Sequence, residues 1–403
     1  MLVSLLLACA TGTATDSADA QIDPSVPTWG ADVAPIVERS CSGCHHEGGL
    51  GTGDFTTYAA ARPMAGAMAS ALGASRMPPP AMDPTCRSYV GHERLVLTAE
   101  ETALVTAWAE GGAPEGDPID ALTPPSISLD GADVEVTLPI AHTVAPDTDG
   151  NEYHCQVLEN PFTEPTYITG FDVLVDQPAV VHHTLLAIDY GGDAGAGSGE
   201  SDLTDGWDCR NPIAEDDWGI LHAWAPGMEP TAFEDGGLLV NPGDQIVLQM
   251  HYYAQPSDVG TIDQSGYRFR TAPKVTHTIA MAPMGPTGFR IAAGEVEDAT
   301  EDYLNDYNVD ITVYGVFPHM HTLGQGYEST LQNADGSTTC LARANAWDFG
   351  HQMTYLYDEP AIWHKGETLT TRCTYDNTTD STVTYGEGTN QEMCFFLFYY
   401  GVN

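Results

Sequence analysis

From about residue 130 onward, short runs of β-branched and aromatic residues alternate with clusters of Gly, Pro, Asn and Asp, and that rhythm confines the rear of the chain to antiparallel sheet. The runs Val134–Leu138, Tyr167–Val175, Gln245–Tyr253, Val275–Met281, Val309–Val316 and Glu367–Tyr375 each suit one strand, and helical periodicity between them is sparse. A strand that buries one face needs a second sheet stacked on it. Residues 127–403 are therefore expected to form two all-β antiparallel sandwiches (jelly-roll-like), 127–272 and 273–403. The front reads differently. Thr98 and Glu101 make a capping box for a helix with Leu104, Val105 and Trp108 on its apolar stripe and Gly111-Gly112 at its stop. Asp32–Arg39 suits a second, shorter helix. The expectation is a multidomain chain, with a small all-α domain over 29–118 and a linker, 119–126, containing Pro124-Pro125.

Charge removes two classes of partner. The 13 Lys and Arg face 57 Asp and Glu, a net charge of −44 that repels nucleic acid and anionic lipid headgroups. Solubility accounts for such a surface; an electropositive redox partner is the sharper reading. Residues 1–9 end in Leu6-Leu7-Ala8-Cys9, a lipoprotein-type signal in which Cys9 is the lipidation site, although no Lys or Arg precedes the run. A plain cleaved signal is the alternative. Residues 10–28 read as a flexible tether. No later segment has the ~18 consecutive apolar residues of a spanning helix. Membrane contact is thus expected only through the lipid anchor of an exported bacterial protein, periplasmic or at the cell surface.

Nine cysteines sharpen that expectation. With Cys9 lipidated and two cysteines in a C-x-x-C-H motif, six remain: Cys86, Cys155, Cys209, Cys340, Cys373 and Cys394. Six can pair in about fifteen ways, and three disulfides suit an oxidising compartment.

The motif itself is Cys41-Ser42-Gly43-Cys44-His45. Two thiols at this spacing can each add to a haem vinyl group while the adjacent histidine faces the iron. A redox dithiol or half a zinc site has the same pattern. Context favours haem: a helix precedes it, Arg76-Met77-Pro78-Pro79 offers a thioether in a stiff loop, and a Trp-containing helix follows. This order resembles a small class I cytochrome c, with one covalent haem c on Cys41 and Cys44, ligated by His45 and Met77. Met82 competes with Met77 for the distal position, and His46 and His92 read as surface residues. A His/Met haem transfers electrons rather than activating oxygen.

In the rear half, four places put metal-ligand side chains on strands. His182-His183 lie in an apolar run, where neighbouring side chains point to opposite faces unless a strand end or bulge intervenes. His251 ends the run Ile246–Met250. His319 and His321, at i and i+2, share one face. Met393 stands beside Cys394, ahead of the aromatic run Phe396–Tyr400. Each alone has a structural explanation; the four in order, with Leu221-His222-Ala223-Trp224-Ala225 between the first two, resemble the type II copper, ascorbate-dependent monooxygenases, the peptidylglycine α-hydroxylating and dopamine β-monooxygenase family. The resemblance implies two copper ions, one held by His182, His183 and His251 and the other, oxygen-binding, by His319, His321 and Met393. It also implies a Cys373–Cys394 disulfide. Cys155 with Cys209 is then an expected pair, and Cys86 with Cys340 a clamp between modules.

Two departures bear on function. Peptide-processing members clamp a substrate carboxylate at positions that here are Phe317, Phe395 and Leu397, so a small neutral or apolar substrate is expected. The fused cytochrome points to a periplasmic or extracellular electron donor in place of, or beside, ascorbate. The reading is an exported copper-dependent monooxygenase that hydroxylates a C–H bond with O2. The alternatives are a non-catalytic surface copper-binding or electron-transfer protein and a zinc hydrolase, and two histidines with a methionine make a poor zinc site.

Overall fold

The computed structural model describes residues 26–49, 51–125, 128–148, 150–196, 198, 203–209, 218–386, 388 and 390–402. The signal, Cys9 and most of the tether lie outside these residues. The front is helical. A π turn, Trp29–Val33, leads into the helix Ala34–Ser40; the helices Ala65–Gly73 and Ala99–Glu110 pack on each other, and the latter also on the π turn. The last begins as its sequence requires: Thr98 Oγ1 accepts from Glu101 N (3.2 Å), and the Glu101 carboxylate accepts from Thr98 N (2.9 Å). Trp29, Val33, Val37 and Trp108 are fully buried and make a core separate from the rest of the molecule. An ion pair between Arg39 and Glu101 (2.7 Å) ties the first helix to the last.

Residues 82–95 do not join that helical core. Met82 and Tyr89 are buried in the large core of the β half, where Tyr89 packs edge-on against Tyr355 (4.8 Å). Backbone hydrogen bonds run from Asp83 N to Arg343 O and from Val90 N to Leu356 O, Arg87 stacks on Tyr357, and the Cys86–Cys340 disulfide closes the seam. Apolar side chains go where sheet surface is available, and chain proximity to the helices does not decide it. Met82 is thereby removed as a candidate haem ligand, while Met77 is 43% exposed.

The rest is sheet. A six-stranded and a five-stranded sheet face each other in the first sandwich, and two four-stranded sheets do so in the second. The pairings are antiparallel apart from short contacts such as His277–Thr278 with Gly236–Gly237. The expected strand Val275–Met281 is in fact two: His277–Thr278 pairs with the first sandwich and Ala280–Met284 with the second. The chain crosses between the sandwiches there. Each sandwich carries one internal disulfide, Cys155–Cys209 and Cys373–Cys394, and the three cross-links fit an exported protein.

In the first sandwich Leu248, Met250 and Tyr252 of the strand Gln245–Tyr253 are fully buried on its inner face, and Thr184 bonds Tyr267 of the opposing sheet (2.7 Å). The alternate residues of that strand therefore face outward. Tyr399 of the second sandwich meets the first at its edge strand Trp218–Trp224, with its hydroxyl on Leu221 O (3.3 Å) and its ring against Phe233 (5.0 Å).

Candidate metal centres

The strand Val181–Asp189 runs antiparallel to Gln245–Tyr253, with His183 opposite His251 and Val181 opposite Tyr252. His182 is the extra residue of a bulge at that point. A bulge lets two successive side chains reach one side, and one ligand nitrogen from each of His182, His183 and His251 lies within 4.8 Å of the others. Two of these histidines are incompletely satisfied: His182 Nδ1 and His183 Nε2 are buried without a hydrogen-bond partner. A buried polar atom left unpaired is costly, and a metal ion would relieve both. Burial, then repulsion from the neighbouring imidazoles, holds His183 well below the usual histidine range, and burial lowers His182. Both rings are neutral at pH 7, as metal binding requires. His251 is fixed from behind by Asn151 Oδ1 (2.9 Å from Nε2) and by the Tyr153 ring, stacked at 4.2 Å.

The second group comes from strand parity. Ile311–Met320 pairs with Cys394–Val402 so that Phe317 faces Leu397, His319 faces Phe395 and Met320 faces Cys394. One step further, His321 comes opposite Met393. Phe317, His319, Phe395 and Leu397 therefore share a sheet face, and His321 and Met393 extend it. His319 Nδ1 bonds Gln352 Oε1 (2.7 Å) and His321 Nδ1 bonds the Gln391 carbonyl (3.0 Å), so Nε2 of each is the nitrogen a metal would take. Burial, with repulsion from His321, lowers His319 to about 3. Met393 is buried, and its carbonyl accepts from Tyr375 Oη (2.5 Å). Two imidazoles with a thioether favour Cu(I), and three imidazoles suit a copper that cycles between oxidation states. The donor sets fit copper.

Four supporting residues carry no recognisable sequence signal of their own: Asn151, Tyr153, Gln352 and Phe349. The last stands between the groups, its ring centroid 6.0 Å from His182, 6.1 Å from His183 and 5.8 Å from His321. Glu392 is a fifth, visible in the sequence only as the neighbour of Met393. Its buried carboxylate accepts from His321 N (2.9 Å) and Leu323 N (2.6 Å), clamping the H-x-H turn to the methionine segment. His222, by contrast, is structural, bonded to Tyr267 Oη and Thr231 Oγ1.

At the front, Cys41 and Cys44 are free thiols. His45 Nδ1 bonds the Thr52 carbonyl (2.9 Å) and its ring stacks on Phe55 (4.3 Å), leaving Nε2 as the nitrogen an iron would take. A Cβ at Gly51 would come within 2.6 Å of that ring. These residues fit a covalent haem on Cys41, Cys44 and His45. His46 bonds the Glu47 carbonyl and His92 the Tyr89 carbonyl.

Comparison with known proteins agrees with this geometry. The family described as "Copper type II ascorbate-dependent monooxygenase, C-terminal domain" matches residues 296–403. A "DBH-like monooxygenase protein 1" of Gallus gallus is 26% identical over 283 residues, 63% of this chain and 45% of that protein. The chain thus spans less than half the length of that relative. Both findings support a place in the type II copper monooxygenase family, and so an oxidoreductase. Among solved structures, particles derived from infectious bursal virus align at a TM-score of 0.17 and 11% identity, covering 69% of this chain and 71% of that one. PNGF-II aligns at 0.24 and 8%, covering 69% and 62%.

Proposed function

We propose that this chain is an exported copper-dependent monooxygenase that hydroxylates a C–H bond of a small neutral or apolar molecule with O2, drawing electrons through a covalent haem in its front domain (29–118). The observation that carries the reading is the pair of buried, unpartnered imidazole nitrogens on His182 and His183, converging with His251 on the side that meets His319 and His321 across Phe349. His182, His183 and His251 would hold one copper, in the domain 127–272. His319, His321 and Met393 would hold the other, in 273–403. When bound, the coppers supply oxygen activation and the electrons for inserting one oxygen atom. The haem, on Cys41 and Cys44 with His45 and Met77 as ligands, supplies one-electron transfer.

The protein's own contribution is orientation and exclusion. Gln352, the Gln391 carbonyl and Glu392 fix the two histidines of the second group, and Asn151 with Tyr153 fixes His251. Phe317, Phe395 and Leu397 make the sheet face beside His319 apolar, which suits a substrate without a carboxylate. O2 uptake by the copper-loaded, reduced protein with small apolar compounds is the test. A Met393→Ala chain should keep its haem absorbance and its first copper yet lose turnover. Full activity in that variant would overturn the assignment.

A further inference from the structure

His142, Glu152 and His154 form a second cluster of metal-type donors, apart from both groups above. One ligand atom of each lies within 4.8 Å of the others. Glu152 and His154 are i and i+2 on the strand Asn151–Leu158, so they share a face. Tyr153 between them points the opposite way, onto His251. The cluster and the three-histidine group therefore sit back to back across one strand, without a common side chain. His142 comes from the short strand His142–Thr143, held by Ile262–Asp263.

Its surroundings are those of a built site. His154 is 8% exposed, and the side chains of His142 and Glu152 are 15% and 16% exposed. Glu152 Oε1 lies 2.6 Å from His142 Nε2, while Oε2 accepts from Ala145 N (2.6 Å). The two imidazoles stack face to face at 3.7 Å, and Tyr252 backs the His142 ring at 5.4 Å. Tyr252 is itself anchored through its hydroxyl to Asp263 (2.9 Å). His154 bonds the Asp205 carbonyl. Its Nε2 meets the Gln156 amide (3.1 Å), a contact a cation would take over. Gly206, at φ +94°, passes so close that a Cβ there would come within 2.6 Å of His154 Nε2, so only glycine keeps that approach open.

We propose that His142, Glu152 and His154 bind a third metal ion, a divalent cation of the zinc class, at a site independent of copper. Two imidazoles and a carboxylate match the borderline N/O preference of Zn2+, with no soft donor to favour Cu(I). Bond lengths of about 2.0–2.1 Å put tetrahedral ligand atoms roughly 3.3 Å apart, so the His142–Glu152 contact need open by less than about 1 Å. The bound ion would cross-link the edge of the first sandwich beside the residues that fix His251.

Zinc titration of the chelator-stripped full chain tests this, with calorimetry giving stoichiometry and affinity. Wild type should bind one more Zn2+ than H142A/H154A, and Glu152→Gln should weaken that equivalent by about tenfold or more. An H182A/H183A chain should keep it, which separates this site from the copper reading. Equal stoichiometry and affinity in wild type, H142A/H154A and E152Q would overturn the proposal. If circular dichroism shows the double variant unfolded, E152Q, which keeps the side chain's shape, decides alone.

Discussion

Glu392 offers the sharpest test of how the second metal group is assembled. Its carboxylate is fully buried and accepts from the backbone N–H groups of His321 (2.9 Å) and Leu323 (2.6 Å), with a further backbone contact from Met393. Burial lifts its pKa to about 7, against the pull of those hydrogen bonds, so near neutrality the group is partly protonated and an ordinary cost per orphaned donor applies. Glu392→Ala leaves the His321 and Leu323 N–H groups buried and unpaired at about 1–3 kcal/mol each, a loss of at least about 4 kcal/mol at the midpoint of that range. Glu392→Gln keeps one acceptor oxygen and should lose about half of that. The same substitution frees the H-x-H turn from the methionine segment, and loss of such an outer contact weakens metal binding by about 10–100-fold. Urea unfolding of the metal-free protein reads the first effect. Competition with a chromophoric Cu(I) chelator reads the second, and the copper proposed on His182, His183 and His251 serves as an internal control that should not change. Stability within about 0.5 kcal/mol of wild type, together with unaltered affinity for both coppers, would refute the clamp.

Two further outcomes follow from single residues. His222 is buried and neutral, its pKa lowered to about 3 by burial. An unfolded histidine takes its proton near pH 6.5, so the unfolded state binds more protons than the folded one between there and pH 3. Stability is full above pH 6.5 and falls as pH falls; His222→Gln should make that decline shallower by about 1.4 kcal/mol per pH unit between pH 6 and 4, and an unchanged slope in acid-urea titrations would count against it. At the front, Gly51→Ala sets a Cβ against the His45 ring, so haem bound per chain, measured as the pyridine haemochrome, should fall several-fold; full incorporation would show that the ring need not stay where it is.

The sequence carried the β architecture, because alternation with turn residues is a local signal and strands are local objects. It also carried the one irregularity that mattered: adjacent His182 and His183 cannot face one metal from a regular strand, and the bulge opposite His251 is the physical solution. Glu392, Gln352 and Phe349 were not legible in the same way. Glu392 acts on His321 and Leu323 from about 70 positions away, through a register that no local pattern fixes. Phe349 and Gln352 lie in a stretch without periodicity, where only the fold brings Gln352 to His319 and Phe349 to His321, His182 and His183. Residues 82–95, inside the expected front domain, place Met82 and Tyr89 in the core of the β half. That contact joins positions more than 250 apart, as the Tyr89–Tyr355 ring pair does, so no local pattern shows it.

These placements have a common consequence for the two metal groups. Parity along paired strands sends His251 and His183 out of the first sandwich, and the same parity sends His319, and in extension His321 and Met393, to one face of the second. The Tyr399 hydroxyl on Leu221 and the crossing near His277 fix how those surfaces meet. Phe349 then lies in contact with His182 and His183 on one side and His321 on the other, so the groups are separated by about one aromatic ring. The half-buried ring supplies no ligand to either group. The disulfide Cys86–Cys340 fastens the segment between the helices Ala65–Gly73 and Ala99–Glu110 to this same second sandwich, so the helical front is tethered to it.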